Sequence, residues 1–233
     1  VVTGELILAD GPKTSGAGAG VGLYWRYEKR IRRLESRVDS TVGATGALYA
    51  VRQRLFEPIP EDTILDDVVI PMGIVRKGYR AVFEDRALVY DRLPATAHEE
   101  FRRKARTLAG CFQLFAKNPW LLNPAQNRLF IQTISHKGLR LLMPVLLVAV
   151  LLSSLSLLDS PLYRALLLGQ GLFYGAALLG HLLRGKRLRV LSIPYVIALL
   201  SLATLVAFVR FLRGRQAVTW DRGPLPGHSP TPS

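Results

Sequence analysis

The sequence predicts an α/β soluble part followed by about three membrane-spanning helices. Three observations carry that reading. Short β-rich runs alternate with helical periodicity over residues 1–117. Three long runs without a charged residue follow, at 141–158, 165–183 and 190–209. The charge divides at the same place: residues 1–137 hold 21 basic and 15 acidic side chains, residues 138–233 hold 10 and 2. A chain of 233 residues with a net charge of +14 that is also 49% hydrophobic is apolar because of its second part. That is a membrane composition, and it speaks against nucleic acid as the partner of the basic excess. Disorder is excluded by the hydrophobicity. A disulfide scaffold is excluded by the single cysteine, Cys111. The chain begins Val1-Val2, with methionine only at Met72 and Met143, as expected of a fragment or a processed product.

Taken in order, Val1–Leu8 is a short β-rich run, and Pro12–Gly22 reads as a Gly/Ala/Ser loop. Leu23–Arg37 is helical, because Leu23, Tyr27, Ile31 and Leu34 recur at helical spacing with bases on the other face. Gly43–Val51 is apolar and holds Gly43 and Gly46. Ile64–Val75 begins with two acids, turns apolar and is broken by Pro71. Arg80–Phe83 and Ala87–Tyr90 are candidate strands. Ala97–Ala116 is a helix, basic at its start and apolar at its end. Residues 118–137 mix Trp120, Leu121, Leu122, Leu129, Phe130 and Ile131 with Asn and Gln, interrupted by Pro119 and Pro124. This stretch is too polar to span, and an amphipathic helix in the interface, with Trp120 at headgroup depth, is the expectation.

Each apolar run is close to the ~20 residues that cross a hydrocarbon core about 30 Å thick, and only a helix satisfies its own backbone there. His136, Lys137 and Arg140 precede the first run, and Arg184, Lys186, Arg187 and Arg189 fill the loop before the third. Basic loops stay cytoplasmic. Residues 1–137 and 184–189 are then inside and the 159–161 turn outside. Three full crossings would put Arg210, and Arg213 and Arg215 of the tail, 213–233, outside. Either one run is re-entrant or interfacial, or the charge rule fails there.

Four groups of residues could carry chemistry. Asp66-Asp67 can cap a helix N-terminus, where anions are favoured, or supply a general base whose pKa the neighbouring charge raises. Arg103 and Arg106, three apart in the run 101–107, share a helix face. They can hold a diphosphate through bidentate hydrogen bonds or rest on anionic lipid. In the stretch from Gly43 to Arg52, glycines let a backbone approach a ligand or simply form a turn. Trp220 and Arg222, past the last apolar run, read as interfacial anchors. His98, His136, His181 and His228 lie far apart with no partner at ligand spacing, so no zinc site is suggested. No Ser-His-Asp arrangement or glycine-rich phosphate loop occurs.

The order of these features resembles the C-terminal part of a membrane-embedded family 2 glycosyltransferase, akin to poly-N-acetylglucosamine, hyaluronan and cellulose synthases. It runs Val2-Thr3-Gly4-Glu5, the 43–52 motif, Asp66-Asp67, Gly78-Tyr79-Arg80, the basic helix at 101–110, an interfacial segment and apolar spans. The resemblance covers about residues 1–222. It implies the C-terminal part of a GT-A-like nucleotide-sugar transferase domain over residues 1–117, with spans over 138–212. Leu65-Asp66-Asp67-Val68 is similar to the family's Thr-Glu-Asp motif, which implies Asp67 as catalytic base and Asp66 at the Glu position. Arg103-Lys104-Ala105-Arg106-Thr107 stands where the family has Gln-x-x-Arg-Trp, a motif that meets the nucleotide diphosphate and the acceptor. Arg106 is kept, while Arg103 replaces the Gln and Thr107 the Trp, so the floor under the acceptor sugar differs from that of processive synthases. Thr45 and Gly46 fall in the acceptor-side segment. Trp220-Asp221-Arg222 resembles the gating segment of hyaluronan synthases.

The resemblance further implies inverting transfer from a nucleotide-sugar donor to a saccharide or lipid acceptor, in cell-surface polysaccharide or glycolipid synthesis. The enzyme would sit in a bacterial inner membrane with the catalytic part cytoplasmic. A divalent cation, Mg or Mn, is expected, with ligands outside this chain, which has no Asp-x-Asp. The chain by itself is therefore expected to be an inactive fragment. The alternative from another class is a non-catalytic membrane scaffold or pore subunit.

Overall fold

The computed structural model describes residues 1–9, 16–92, 97–183, 189–214 and 216–218. A three-stranded mixed sheet forms the base of the soluble part. β1 (Val2–Ala9) lies at its centre, antiparallel to the two-residue β2 (Tyr49–Ala50) and parallel to β3 (Val82–Arg92). The two strands expected around residues 80–90 are one strand. The register jumps from Gly4 opposite Glu84 to Glu5 opposite Leu88, so the polar residues that split the sequence pattern, Asp85 and Arg86, occupy a bulge. Gly4 is what allows this, since a Cβ there would stand 2.6 Å from the Ala87 carbonyl oxygen.

α1 (Gly16–Val38) begins inside the segment expected to be a loop. Each glycine weakens a helix by about 1 kcal/mol, but extending a helix already nucleated at 23–37 is easier than starting one. The facing of α1 also differs from expectation. Tyr27, Leu34 and Val38 are 63%, 50% and 80% exposed, whereas Glu35 is buried. Lys29 and Arg33 bind Glu5 of β1 at 2.6 and 3.0 Å. At its C-terminal end the Arg80 guanidinium donates to the carbonyls of Ser36 and Asp39, closing carbonyls the helix leaves open.

α2 (Asp66–Arg76) contains Pro71 without breaking. α3 (Ala97–Lys117) buries Ala105, Leu108, Ala109, Cys111 and Leu114. The stretch 118–137 is not one amphipathic helix. A 3-10 turn at Pro119–Leu122 leads to the short α4 (Phe130–Thr133) and a π-helical turn at Ile134–Gly138. The two prolines prevent a continuous helix. Leu121 and Leu129 join the core with Val42, Ile64, Leu65, Val68, Met72 and Leu114, and Trp120 packs at its edge. The Arg76 guanidinium sits 4.9 Å from the Trp120 ring centroid, so this tryptophan is in contact with the soluble part.

Three helices are long and apolar enough to cross a membrane: Phe130–Ser156, Pro161–Leu182 and Val190–Leu212. The regular helices within them are α5 (Leu139–Ser156), α6 (Pro161–Leu182) and α7 (Arg189–Leu212). The first begins earlier than the run 141–158 because α4 and the π turn continue into it. α6 and α7 approach closely at Gly180, where a Cβ would meet the Leu191 carbonyl oxygen at 2.6 Å. The C-terminal half of α7 lies on α3: Ala203 and Ala207 pack with Leu108 and Ala109, and Phe112 stacks at 5.2 and 5.9 Å from Phe208 and Phe211. The end of the last apolar helix therefore packs against the soluble part.

Candidate functional site

The site is built around the first turn of α2. Asp66 and Asp67 both lie in that turn, where the helix dipole favours anions, and no side chain caps the preceding Leu65. Pro71 has no N–H, so the carbonyl four residues earlier, that of Asp67, has no helical donor. The Ala44 N–H takes that place at 2.6 Å. The 43–46 loop is thereby docked on α2. Gly43 has a φ of 92°, and a Cβ there would be 3.0 Å from the Asp67 carbonyl oxygen. At Gly46 a Cβ would come within 3.1 Å of the Asp67 carboxylate Oδ2. The glycine motif is thus a close approach of backbone to Asp67, and it leaves the carboxylate uncovered on that side.

Thr45 ties the loop to the sheet. Its N–H donates to Thr3 Oγ1 at 2.6 Å, and its own hydroxyl donates to the Gly4 carbonyl at 2.8 Å. That hydroxyl also accepts from Arg32 Nη1 of α1 at 2.9 Å. Tyr49 of β2 donates to Asp66, and its hydroxyl pKa is raised by burial and by the charges of Asp66 and Asp67.

α3 holds the other side. Arg106, Gly110, Gln113 and Lys117 recur at helical spacing and clasp residues 62–65. Arg106 Nη2 donates to the Ile64 carbonyl at 3.5 Å. Gly110 admits Leu65, whose Cγ would be 2.6 Å from a Cβ. Gln113 accepts from the Ile64 N–H at 3.0 Å and donates to the Asp62 carbonyl at 2.8 Å. Lys117 pairs with the Asp62 carboxylate. Four residues of one helix face therefore fix the segment that delivers the two aspartates.

The electrostatics follow from burial. Burial raises the Asp67 carboxyl pKa and Asp66 adds to the rise, while Lys137, Arg32 and Arg106 oppose it. Arg106 is itself buried, which pulls its guanidinium down, and the two aspartates work the other way. Arg106 also donates to the Val218 carbonyl, so the chain beyond α7 reaches the guanidinium. Arg103 pairs with Glu99 at 3.1 Å on the more exposed side of α3, and the Thr107 hydroxyl donates back to the Arg103 carbonyl at 3.1 Å. Asp66, Asp67, Thr45, Gly46 and Arg106 thus come together, whereas the Arg103 side chain turns towards Glu99. Trp220 and Arg222 lie outside the described residues.

Several residues were read from sequence only as helix surface or span flanks and yet face this site. Burial works to raise Glu28, but Arg32, Lys137, Arg140 and His136 together hold its pKa below the ordinary value. Lys104 is lowered by burial, and the nearby Arg140 adds to this. Glu35 is buried on α1 with His136 Nδ1 at 3.1 Å. The available signal was the stripe Glu28, Arg32, Glu35 at helical spacing. Among the described residues no group of three or more His, Cys, Asp or Glu side chains could hold a metal ion, and no step below is routed through one.

No match appears among curated proteins or among solved structures. A buried acid beside an arginine in a chain ending in apolar helices is an arrangement shared by more than one kind of enzyme, so the family must come from the sequence as a whole. Residues 14–210 match the family described as glycosyl transferase family group 2, a span that takes in both sides of the site and nearly all of the apolar helices, and the chain belongs to that family.

Proposed function

We propose that the chain forms the acceptor side of an inverting glycosyltransferase working at a membrane. It would move a sugar from a nucleotide-sugar donor to a saccharide or lipid acceptor, in cell-surface polysaccharide or glycolipid synthesis. The observation that carries this is the half-buried Asp67 carboxylate, which meets Gly46 and is acted on by the charge of Arg106. Asp67 takes the proton of the acceptor hydroxyl. The freed oxygen attacks the anomeric carbon as the bond to the diphosphate breaks on the opposite face, so the configuration inverts. Arg106 offsets the charge that gathers on the leaving diphosphate. Asp66 would line the same site, and Arg103 and Thr107 would meet the donor or acceptor from the more exposed side of α3, Arg103 on leaving Glu99.

Contact between Arg106 and the carbonyl of Val218 supports a gating role for the residues that follow, Trp220 and Arg222. The three apolar helices anchor the enzyme, and the proposed setting is a bacterial inner membrane with the site on the cytoplasmic side. A divalent cation in this reaction would take its ligands from beyond these residues.

The test is Asp67→Asn, expressed from the complete reading frame in membranes. Nucleoside diphosphate release from a panel of nucleoside-diphosphate sugars should fall about 10²–10⁴-fold, the usual worth of a general base. Turnover within a few-fold of wild type would remove Asp67 from the base role and return the scaffold reading.

A further inference from the structure

Leu158, Arg164, Leu167, Leu168, Gly171 and Leu172 line a groove of about 420 Å³ where the end of α5 meets the first half of α6. That volume lies in the range of sites that hold a small organic molecule, roughly 300–1,000 Å³. Arg164 and the four residues after it are spaced i, i+3, i+4, i+7 and i+8, so they share one face of α6. Leu168 and Leu172 are each 67% exposed on that face, and a Cβ at Gly171 would meet nothing within 4 Å. α6 is also the least covered of the three apolar helices.

The groove is remote from the soluble part. Leu141, near the start of α5, packs against the soluble core. At about 1.5 Å per residue, the end of α5 at Ser156 stands roughly 22 Å further along the axis. In a hydrocarbon core about 30 Å thick, that places the groove by the opposite boundary, where lipid head groups begin.

One charge stands in this apolar face. Arg164 Nε donates to the Leu158 carbonyl at 2.5 Å, and Nη2 to the Asp159 carbonyl at 3.5 Å. These bonds fix one edge of the guanidinium against the turn between α5 and α6. They bring no negative charge to balance it. Asp159 is the neighbouring acid, and among the described residues it forms no ion pair with Arg164, whose Nη1 makes no hydrogen bond. A cation at the edge of a hydrocarbon core is costly unless it reaches water or meets an anion. A guanidinium held by one edge presents the other for bidentate bonding to a phosphate.

We propose that this groove is a binding site for one membrane phospholipid. Its phosphate rests on Arg164, and one acyl chain lies along Leu167, Leu168, Gly171 and Leu172. The charge of Arg164 selects the head group, and the uncharged remainder of the groove accepts the chain. The site does not depend on Asp67 being a base.

The test uses the full chain, purified in mild detergent, stripped of lipid and titrated with phosphatidylglycerol. Native mass spectrometry counts the lipids bound. One phosphatidylglycerol per chain should bind ahead of any others. Diacylglycerol with the same acyl chains but no phosphate should bind about tenfold or more weakly, the usual worth of a charged hydrogen bond. Arg164→Gln should bring phosphatidylglycerol down to the level of diacylglycerol. Gly171→Leu fills the groove and leaves Arg164 in place, so it should weaken both lipids. Should Arg164→Gln accumulate poorly, Gly171→Leu decides alone. Equal binding of the two lipids to the wild-type chain overturns the proposal. So does a preference for the phospholipid that survives Arg164→Gln, or binding that survives Gly171→Leu. A mass of two chains that Gly171→Leu disperses would give the groove to a second copy, and it overturns the proposal too.

Discussion

α1 and α3 are both basic amphipathic helices, and they face opposite ways. α3 turns its apolar side inward, with Ala105, Leu108, Ala109 and Leu114 buried, and adds the buried Arg106. α1 turns the stripe Glu28, Arg32, Glu35 towards the site and leaves Tyr27, Leu34 and Val38 exposed. Amphipathicity says that a helix has two sides. It does not say which side meets the protein, because buried charge is tolerated where it is paired. α1 meets that condition at Arg32 and Glu28, which pair with each other, while the buried Glu35 has His136 at 3.1 Å without a hydrogen bond to it.

The contrast can be broken at three points. The largest effect is expected at Gly110→Leu on the inward face of α3. The added side chain would collide with Ile64 and Leu65, which a Cβ alone would approach to 2.8 and 2.6 Å. Overpacking of this kind costs about 1–3 kcal/mol and would displace the start of α2. Thermal unfolding should show the loss, and donor turnover should fall with it. Wild-type stability would mean that α3 does not clamp the 62–65 segment.

An intermediate effect is expected at Arg32→Ala on the inward face of α1. It removes the bond to Thr45 and one of the cations facing Asp67. A roughly tenfold loss of turnover, about 1.4 kcal/mol of barrier, is the expected reading in the same release assay. Unchanged turnover would make the charged stripe a purely structural device. The smallest effect is expected at Leu34→Ser on the outward face of the same helix. At an exposed position, stability should stay within about 0.5 kcal/mol of wild type. A loss of several kcal/mol in a melt would show that this face is covered.

Much of the soluble fold could be read from local pattern. β1, α3 and the three apolar helices fall where periodicity and uncharged runs put them, because in each the pattern coincides with what is buried. The misreadings share a cause, which is that contacts distant in sequence overrode a local signal. Pro71 looks like a helix end, yet the carbonyl it leaves open is filled by Ala44, more than twenty residues earlier. Residues 118–137 look like one amphipathic helix, but they break into short turns whose Leu121 and Leu129 join the core. Residues 80–90 look like two strands because the residues between them form a bulge, and β1 spans it.

The same holds at the candidate site. Asp66, Asp67 and Arg106 could be singled out by residue type and order along the chain. Lys137 and His136 could not, because beside an apolar run any lysine or histidine reads as an orienting charge. Only the approach of His136 to Glu35 of α1 shows that this turn meets the soluble part.

The stacking of Phe112 with Phe208 and Phe211 has a mechanical consequence. A soluble part joined to its apolar helices by one strand of chain would pivot like a buoy on a line. Here the helix carrying Arg106 is bolted along its length to the last apolar helix, while the first apolar helix leaves from the same core at Leu141. With two points of attachment the site behaves as a bracket on a wall. The tilt of α3, and of the turn of α2 that it clasps, against the last apolar helix is set by ring contacts.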